Sequence, residues 1–96
     1  MKTKNKTIWK YIIKPVYDSI LQIPKGADIL AVQLQDGIVC IWVLVDPQAE
    51  KENRKFSLIG TGHIIITDNG TYIATLQFEK TFGHFNQVYH LFEFPG

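Results

Sequence analysis

The fold is decided by residues 29–45, which read ILAVQLQDGIVCIWVLV. Two apolar runs rich in β-branched residues flank Asp36-Gly37, a dipeptide that accepts the positive φ angles of a two-residue type I′ turn. The stretch therefore predicts a β-hairpin. Its register pairs Gln35 with Ile38, Gln33 with Cys40, Ala31 with Trp42 and Ile29 with Leu44.

The two faces of this hairpin differ in polarity. One face is wholly aliphatic and is predicted to be core: Leu30, Val32, Leu34, Val39, Ile41 and Val43. The other mixes Gln33 and Gln35 with Cys40 and Trp42, and such a half-polar face suits an interface or a ligand surface. The alternative is that a neighbouring loop covers Trp42, since most domains bury their large aromatic residues.

Strand-type runs recur along the whole chain, separated by turn residues at roughly ten-residue spacing. The pattern predicts an all-β fold, a small antiparallel sandwich or barrel of six to seven strands with little helix. Residues 16–23 are predicted as a weak strand, and the charged residues 48–55 as a solvated connection with room for one helical turn. The closing strand, 87–94, is predicted to bury one aromatic face made of Val88, His90, Phe92 and Phe94.

Length and composition limit the classes of function that this chain can have. The 96 residues (1–96) predict a single β domain with a polar N-terminal segment, 1–7. A net charge of +1 argues against binding duplex nucleic acid, and the longest wholly apolar run, Ile38 to Val45, is too short to span a membrane. The single cysteine, Cys40, rules out an internal disulfide, so we expect a cytoplasmic protein.

The tetrapeptide Gly60–His63 is the most suggestive local motif. Two glycines let backbone N–H groups approach an anion, and Thr61 and His63 add side-chain donors, so the loop is a candidate phosphate site. Arg54 and Lys55 lie just upstream and carry positive charge. The alternative is a glycine bulge that bends a strand, with the two cations on an ordinary surface.

Catalysis and metal binding have little support. The three histidines, His63, His84 and His90, match no zinc spacing, and His90 fits a hydrogen-bonded residue at the edge of an aromatic core. Cys40 lies among apolar neighbours that disfavour a thiolate. We therefore predict no enzyme activity, no catalytic residue, no metal and no cofactor.

Five blocks of sequence resemble, in the same order, a family of small phage and prophage proteins of unassigned function. The blocks are Ile8-Trp9-Lys10-Tyr11, Ile23-Pro24-Lys25-Gly26-Ala27, Gln33 to Gly37, Trp42 with Leu44-Val45-Asp46-Pro47, and Gly60-Thr61-Gly62-His63. The family often has proline after the histidine of the last block, where this chain has Ile64. The resemblance implies a phage-encoded, β-rich protein of the host cytoplasm, and it brings no known reaction.

Such an origin favours a homo-oligomeric anti-defence sponge that sequesters a nucleotide-derived immune signal at subunit interfaces. The candidate ligand-binding residues are Gln33, Gln35, Trp42, Arg54, Lys55, Gly60, Thr61, Gly62 and His63. Two alternatives stay open: a protein–protein interaction module that inhibits a host defence protein, and a minor virion or assembly component.

Overall fold

The described residues of this computed structural model, 5–14, 18–66, 68–78 and 87–95, form seven β-strands and no helix. The strands are β1 (Thr7–Ile13), β2 (Ser19–Pro24), β3 (Asp28–Gln35), β4 (Ile38–Val45), β5 (Lys51–Gly60), β6 (Thr71–Phe78) and β7 (Gln87–Phe94). The predicted weak strand at 16–23 is therefore β2, although residues 15–17 lie outside the described ranges. No helix in the described ranges could cross a membrane.

The strands form two antiparallel sheets that pack as a sandwich, which confirms the all-β prediction. One sheet has three strands in the order β1-β4-β3, and the other has four in the order β2-β5-β7-β6. The hairpin strand β4 is central in its sheet, so both of its edges are hydrogen-bonded.

The hairpin turn has the predicted geometry. Asp36 and Gly37 have φ angles of 52° and 77°. The register holds from Gln35 opposite Ile38 to Ala31 opposite Trp42.

A β-bulge at Leu30 then shifts the hairpin register. Ile29 pairs with Val43 and not with Leu44 as predicted. The same bulge turns Leu30 out of the core, where it was expected, and leaves it 51% exposed.

The core lies between the two sheets and centres on β4. Its fully or almost fully buried apolar side chains are Ile13, Ile23, Val39, Ile41, Val43, Val45, Phe56 and Leu91. On the edge strand β1, Trp9 and Tyr11 pack against this core. Burial raises the pKa of the Tyr11 hydroxyl above its ordinary value, because the phenolate loses hydration.

The charged segment 51–55 is a strand, and its prediction as a solvated connection was wrong. Residues Lys51 to Asn53 pair with Pro24 to Gln22 and extend β5 along the edge strand β2. The side chains of Lys51, Glu52 and Asn53 stay exposed. Backbone pairing with a neighbour far away in sequence, and not side-chain burial, makes this segment extended.

The inward face of β7 is opposite to the one predicted. Leu91 is fully buried in the core, whereas Phe92 and Phe94 lie on the outward face and are half-buried. Phe92 stacks on Phe94 with ring centroids 6.1 Å apart and meets Tyr72 edge-on at 5.7 Å. These rings form a separate aromatic layer outside the four-stranded sheet.

Candidate functional site

A cleft of about 380 Å³ opens on the outward face of the four-stranded sheet. Its described lining residues are Asp18, Lys55, Ser57, Leu58, Ile59, His63, Ile64, Ile65, Ile66 and Phe94. Strand alternation places Lys55, Ser57 and Ile59 on this face of β5, and Phe94 pairs with Lys55 from the neighbouring strand. The segment that follows β5 supplies the rest of the wall.

Asp18 and Lys55, two polar residues of the cleft, differ in whether their side chains already have a hydrogen-bond partner. The Ser57 hydroxyl donates to Asp18 Oδ1 at 2.6 Å, so this carboxylate is already held in place. Lys55 is half-buried and has no hydrogen-bond or ion-pair partner among the described residues. The cleft thus offers one uncommitted cation beside an oriented carboxylate.

The Gly60–His63 segment is a tight turn at the end of β5. Gly62 has a φ of +88°, and the His63 N–H donates to the Gly60 carbonyl at 3.1 Å. The Thr61 N–H donates to the Val88 carbonyl at 3.2 Å. Because the Thr61 and His63 N–H groups are used internally, the turn does not present a row of free N–H donors to an anion.

A chain of side-chain hydrogen bonds anchors this turn to the sheet. His90 contacts the Thr61 hydroxyl through Nε2 at 2.8 Å and the Thr75 hydroxyl through Nδ1 at 2.9 Å. The Thr75 hydroxyl also contacts the Tyr72 hydroxyl at 2.7 Å. Thr61 therefore serves to position the turn, and His90 is the hydrogen-bonded residue that its place in β7 suggested.

Arg54 lies on the opposite face of β5 from Lys55. Its Nε and Nη2 donate to the two carboxylate oxygens of Glu93 at 2.6 and 2.7 Å, and its Nη1 donates to the Ala27 carbonyl at 2.8 Å. The hydrogen bond to Glu93 is the main cause of its raised pKa. Six residues of strand, about 20 Å, separate Arg54 from Gly60. The structure thus ties Arg54 to the sandwich and leaves Lys55 on the outward face, where it lines the cleft.

The remaining candidate residues lie on the other side of the sandwich. Trp42, Gln33 and Gln35 are on the outward face of the three-stranded sheet, where Gln35 accepts a hydrogen bond from Lys10 Nζ at 2.8 Å. Within one protomer, these three residues cannot share a site with Lys55 and His63. Of the nine predicted site residues, only Lys55 and His63 line the cleft.

Several cleft residues carried no signal in the sequence. Asp18 precedes β2 in the chain, and Ser57 and Phe94 are ordinary strand residues. They line one cleft with His63 only because β2, β5 and β7 lie side by side in the four-stranded sheet. His84 lies outside the described residues. Within the described ranges, no three His, Cys, Asp or Glu side chains cluster in a way that could hold a metal ion.

Comparison with known proteins identifies a family and no further relative. No curated protein and no solved structure matches the chain significantly. A family model described as a domain of unknown function, DUF7352, matches residues 4–95. Since this match spans nearly the entire sandwich, the chain belongs to the DUF7352 family.

Proposed function

We propose that this domain is a non-enzymatic binding protein that sequesters a small, anionic, nucleotide-derived ligand in the cleft beside Lys55. The observation that carries the proposal is the ammonium group of Lys55, which has no partner in the described part of the chain, in a cleft with apolar walls. A volume of about 380 Å³ falls in the range of about 300–1,000 Å³ typical of small-molecule sites.

The polar groups of the cleft match the two ends of a nucleotide. Lys55 would pair with a phosphate. His63 lies beside Gly60, five residues further along β5, and would contact a different part of the ligand. The Asp18 carboxylate, already oriented by Ser57, accepts hydrogen bonds and so favours the amino or imino groups of a base. The ring of Phe94 provides an aromatic surface in the same cleft.

Such a protein needs no catalytic group, because removing the ligand from solution is the whole activity. Together with the resemblance to phage proteins, this supports an anti-defence role in which a bacterial immune signal is sequestered in the host cytoplasm. Native mass spectrometry after incubation with cyclic dinucleotides, cyclic oligonucleotides and ADP-ribose derivatives would identify the ligand by its mass. If no member of the mixture binds, the proposal fails.

The Lys55→Met variant is expected to bind the identified ligand about 10- to 100-fold more weakly, because a hydrogen bond to a charged group contributes about 1.5–3 kcal/mol. Isothermal titration calorimetry measures the change. Lys51→Met is the matched control, since it removes the same charge from an exposed position on the same strand and should leave the Kd within about twofold. Equal losses in the two variants would show that net charge, and not the cleft, governs binding.

A second candidate function is inhibition of a host protein by direct contact. It is favoured by Ile64 and Ile66, whose side chains are 87% and 93% exposed. Adjacent exposed apolar side chains often mark protein-binding sites. We expect the unmodified chain to retain one stoichiometric protein from bacterial lysate and the Ile64→Asp/Ile66→Asp variant to lose it. Recovery of the same protein by both forms would exclude this loop as the contact.

A further inference from the structure

The outward face of the three-stranded sheet is apolar at its centre, and no other described strand packs on it. Its apolar side chains include Ile8, Ile12, Ile38, Trp42 and Leu44. Ile8, Ile12 and Ile38 are 54%, 51% and 46% exposed. An aromatic residue with aliphatic side chains on most sides, Lys10 beside it on β1 and glutamines at the margin has the composition of an interface centre and its polar rim.

The surface of this face is already ordered. Cys40 points to the outward face by strand alternation, yet it is only 2% exposed. The hydrogen bond between Lys10 and Gln35 joins the two edge strands across β4. Side chains laid across the sheet in this way give a flat surface that suits another sheet better than a convex or flexible partner.

The charges on this face are arranged asymmetrically. Lys10, on β1, pairs with Trp42, whereas Asp28, on β3, pairs with Leu44. The positive group thus lies at one edge of the face and the negative group at the other edge, two residues further along β4. Both are exposed. Asp28 makes no direct ion pair among the described residues, although its charge lies close enough to Arg54 to help raise the pKa of that guanidinium group.

We propose that this face binds a second copy of the same chain, about a two-fold axis that runs parallel to β4. This axis lays β1 of each copy over β3 of the other, so that Lys10 of one copy approaches Asp28 of the other copy, twice in the dimer. Packed sheets are about 10 Å apart and two residues of strand span about 7 Å, a separation that the two side chains can bridge. To make this ion pair, Lys10 must exchange its hydrogen bond with Gln35, which lies in the opposite direction along β4, for the carboxylate of Asp28.

Charge selects this axis over the alternative. A two-fold axis perpendicular to the strands and centred on Trp42 would lay β1 over β1 and bring the two Lys10 ammonium groups together. The parallel axis replaces that repulsion with two ion pairs at the rim and keeps Trp42 near the centre. The proposal does not depend on the cleft, which opens on the other side of the sandwich.

Analytical ultracentrifugation over a concentration series, without any nucleotide, tests the proposal. We expect a monomer–dimer equilibrium in the unmodified chain. Lys10→Glu and Asp28→Lys should each raise the dimer Kd at least about tenfold, because each variant places like charges opposite each other. The combined Lys10→Glu/Asp28→Lys variant restores both pairs with the charges exchanged and should return the Kd to within about threefold.

Ile12→Lys and Ile64→Lys form the matched pair that locates the interface. Both remove an exposed isoleucine, but only Ile12 lies on the proposed face, so only its variant should dissociate the dimer. Circular dichroism of each variant confirms that the sheets are intact. A chain that stays monomeric at every concentration, a charge exchange that fails to restore the dimer, or dissociation caused by Ile64→Lys would each overturn the proposal.

Because no ligand is added in the ultracentrifugation experiment, the measured dimer Kd values do not depend on the proposed function. Lys55→Met should leave the dimer Kd unchanged, and the charge-exchanged variant should bind ligand in the cleft as the unmodified chain does. Loss of ligand binding with an intact dimer would contradict the sequestration proposal alone.

Discussion

Arg54→Met is expected to lower the free energy of unfolding by about 2–4 kcal/mol, because breaking a buried ion pair leaves its partner charged and unpaired. The Arg54 and Glu93 side chains are only 17% and 23% exposed. Methionine keeps most of the apolar stem, so the loss reports mainly on the guanidinium group. Urea denaturation followed by circular dichroism measures it.

The size of this effect follows from what the guanidinium group connects. It joins β5 to Glu93 on β7 by two hydrogen bonds and to Ala27, just before β3 in the other sheet, by a third. The guanidinium carbon of Arg54, Cζ, also lies 5.9 Å from the centre of the fully buried Phe56 ring. Removing Arg54 therefore leaves a partly buried carboxylate without its cation and weakens a contact between the sheets.

Two controls separate this structural role from a role in ligand binding. Lys55→Met changes the neighbouring residue on the opposite face of β5 and should alter stability by less than about 0.5 kcal/mol. The Arg54→Met/Glu93→Leu double variant removes both charges and should recover more than half of the lost stability. A loss below about 1 kcal/mol for Arg54→Met would show that the guanidinium group does not stabilise the contacts of β5 with β7 and with the other sheet.

Gly70→Ala is expected to destabilise the domain by about 1–3 kcal/mol and to distort the cleft. A β-carbon at position 70 would lie 2.8 Å from Cζ of Phe94, closer than side-chain atoms normally approach. The ring of Phe94 must then move, and it is confined by stacking on Phe92. Overpacking of this kind typically costs about 1–3 kcal/mol.

The matched control for Gly70→Ala is Gly60→Ala. The atoms nearest to a β-carbon at position 60 belong to the imidazole of His63, at 3.3 Å and beyond, and this side chain is exposed and can turn away. We therefore expect Gly60→Ala to change the unfolding free energy by less than about 1 kcal/mol. Thermal or urea unfolding of both variants provides the comparison. If Gly70→Ala loses no more stability than Gly60→Ala, the predicted overpacking of Phe94 by a side chain at position 70 is wrong.

The candidate site was only partly predictable. Lys55 and His63 were predicted from their charge, their donors and their closeness in sequence, and both line the cleft. Gly60, Thr61 and Gly62 are not among its described lining residues. Arg54 was grouped with Lys55 because of its charge and its closeness in sequence. In a strand, however, neighbouring residues point to opposite faces, so the two cations serve different surfaces. Trp42 was assigned to the ligand site because of its residue type, which carries no information about the sheet to which its strand belongs.

Local chemistry accounts for the features of the fold that were correctly anticipated. The type I′ turn at Asp36-Gly37 depends on two residues that tolerate positive φ, and the hairpin register next to it follows from that turn alone. The alternating apolar pattern of β4 likewise needs no distant partner to identify a strand. These features rest on interactions between residues close together in the chain.

Long-range packing determined the features of the fold that were not predicted correctly from the sequence. Both faces of β7 carry apolar residues. The alternating pattern therefore shows which residues share a face, but not which face contacts the core. In the structure Leu91 is buried in the core, and Phe92 and Phe94 are on the outward face. The charged segment 51–55 became a strand because β2 pairs with it. The bulge at Leu30 and the cleft around Lys55 also arise from contacts between distant strands. Their free energy depends on the assembled sandwich and not on any local run of residues.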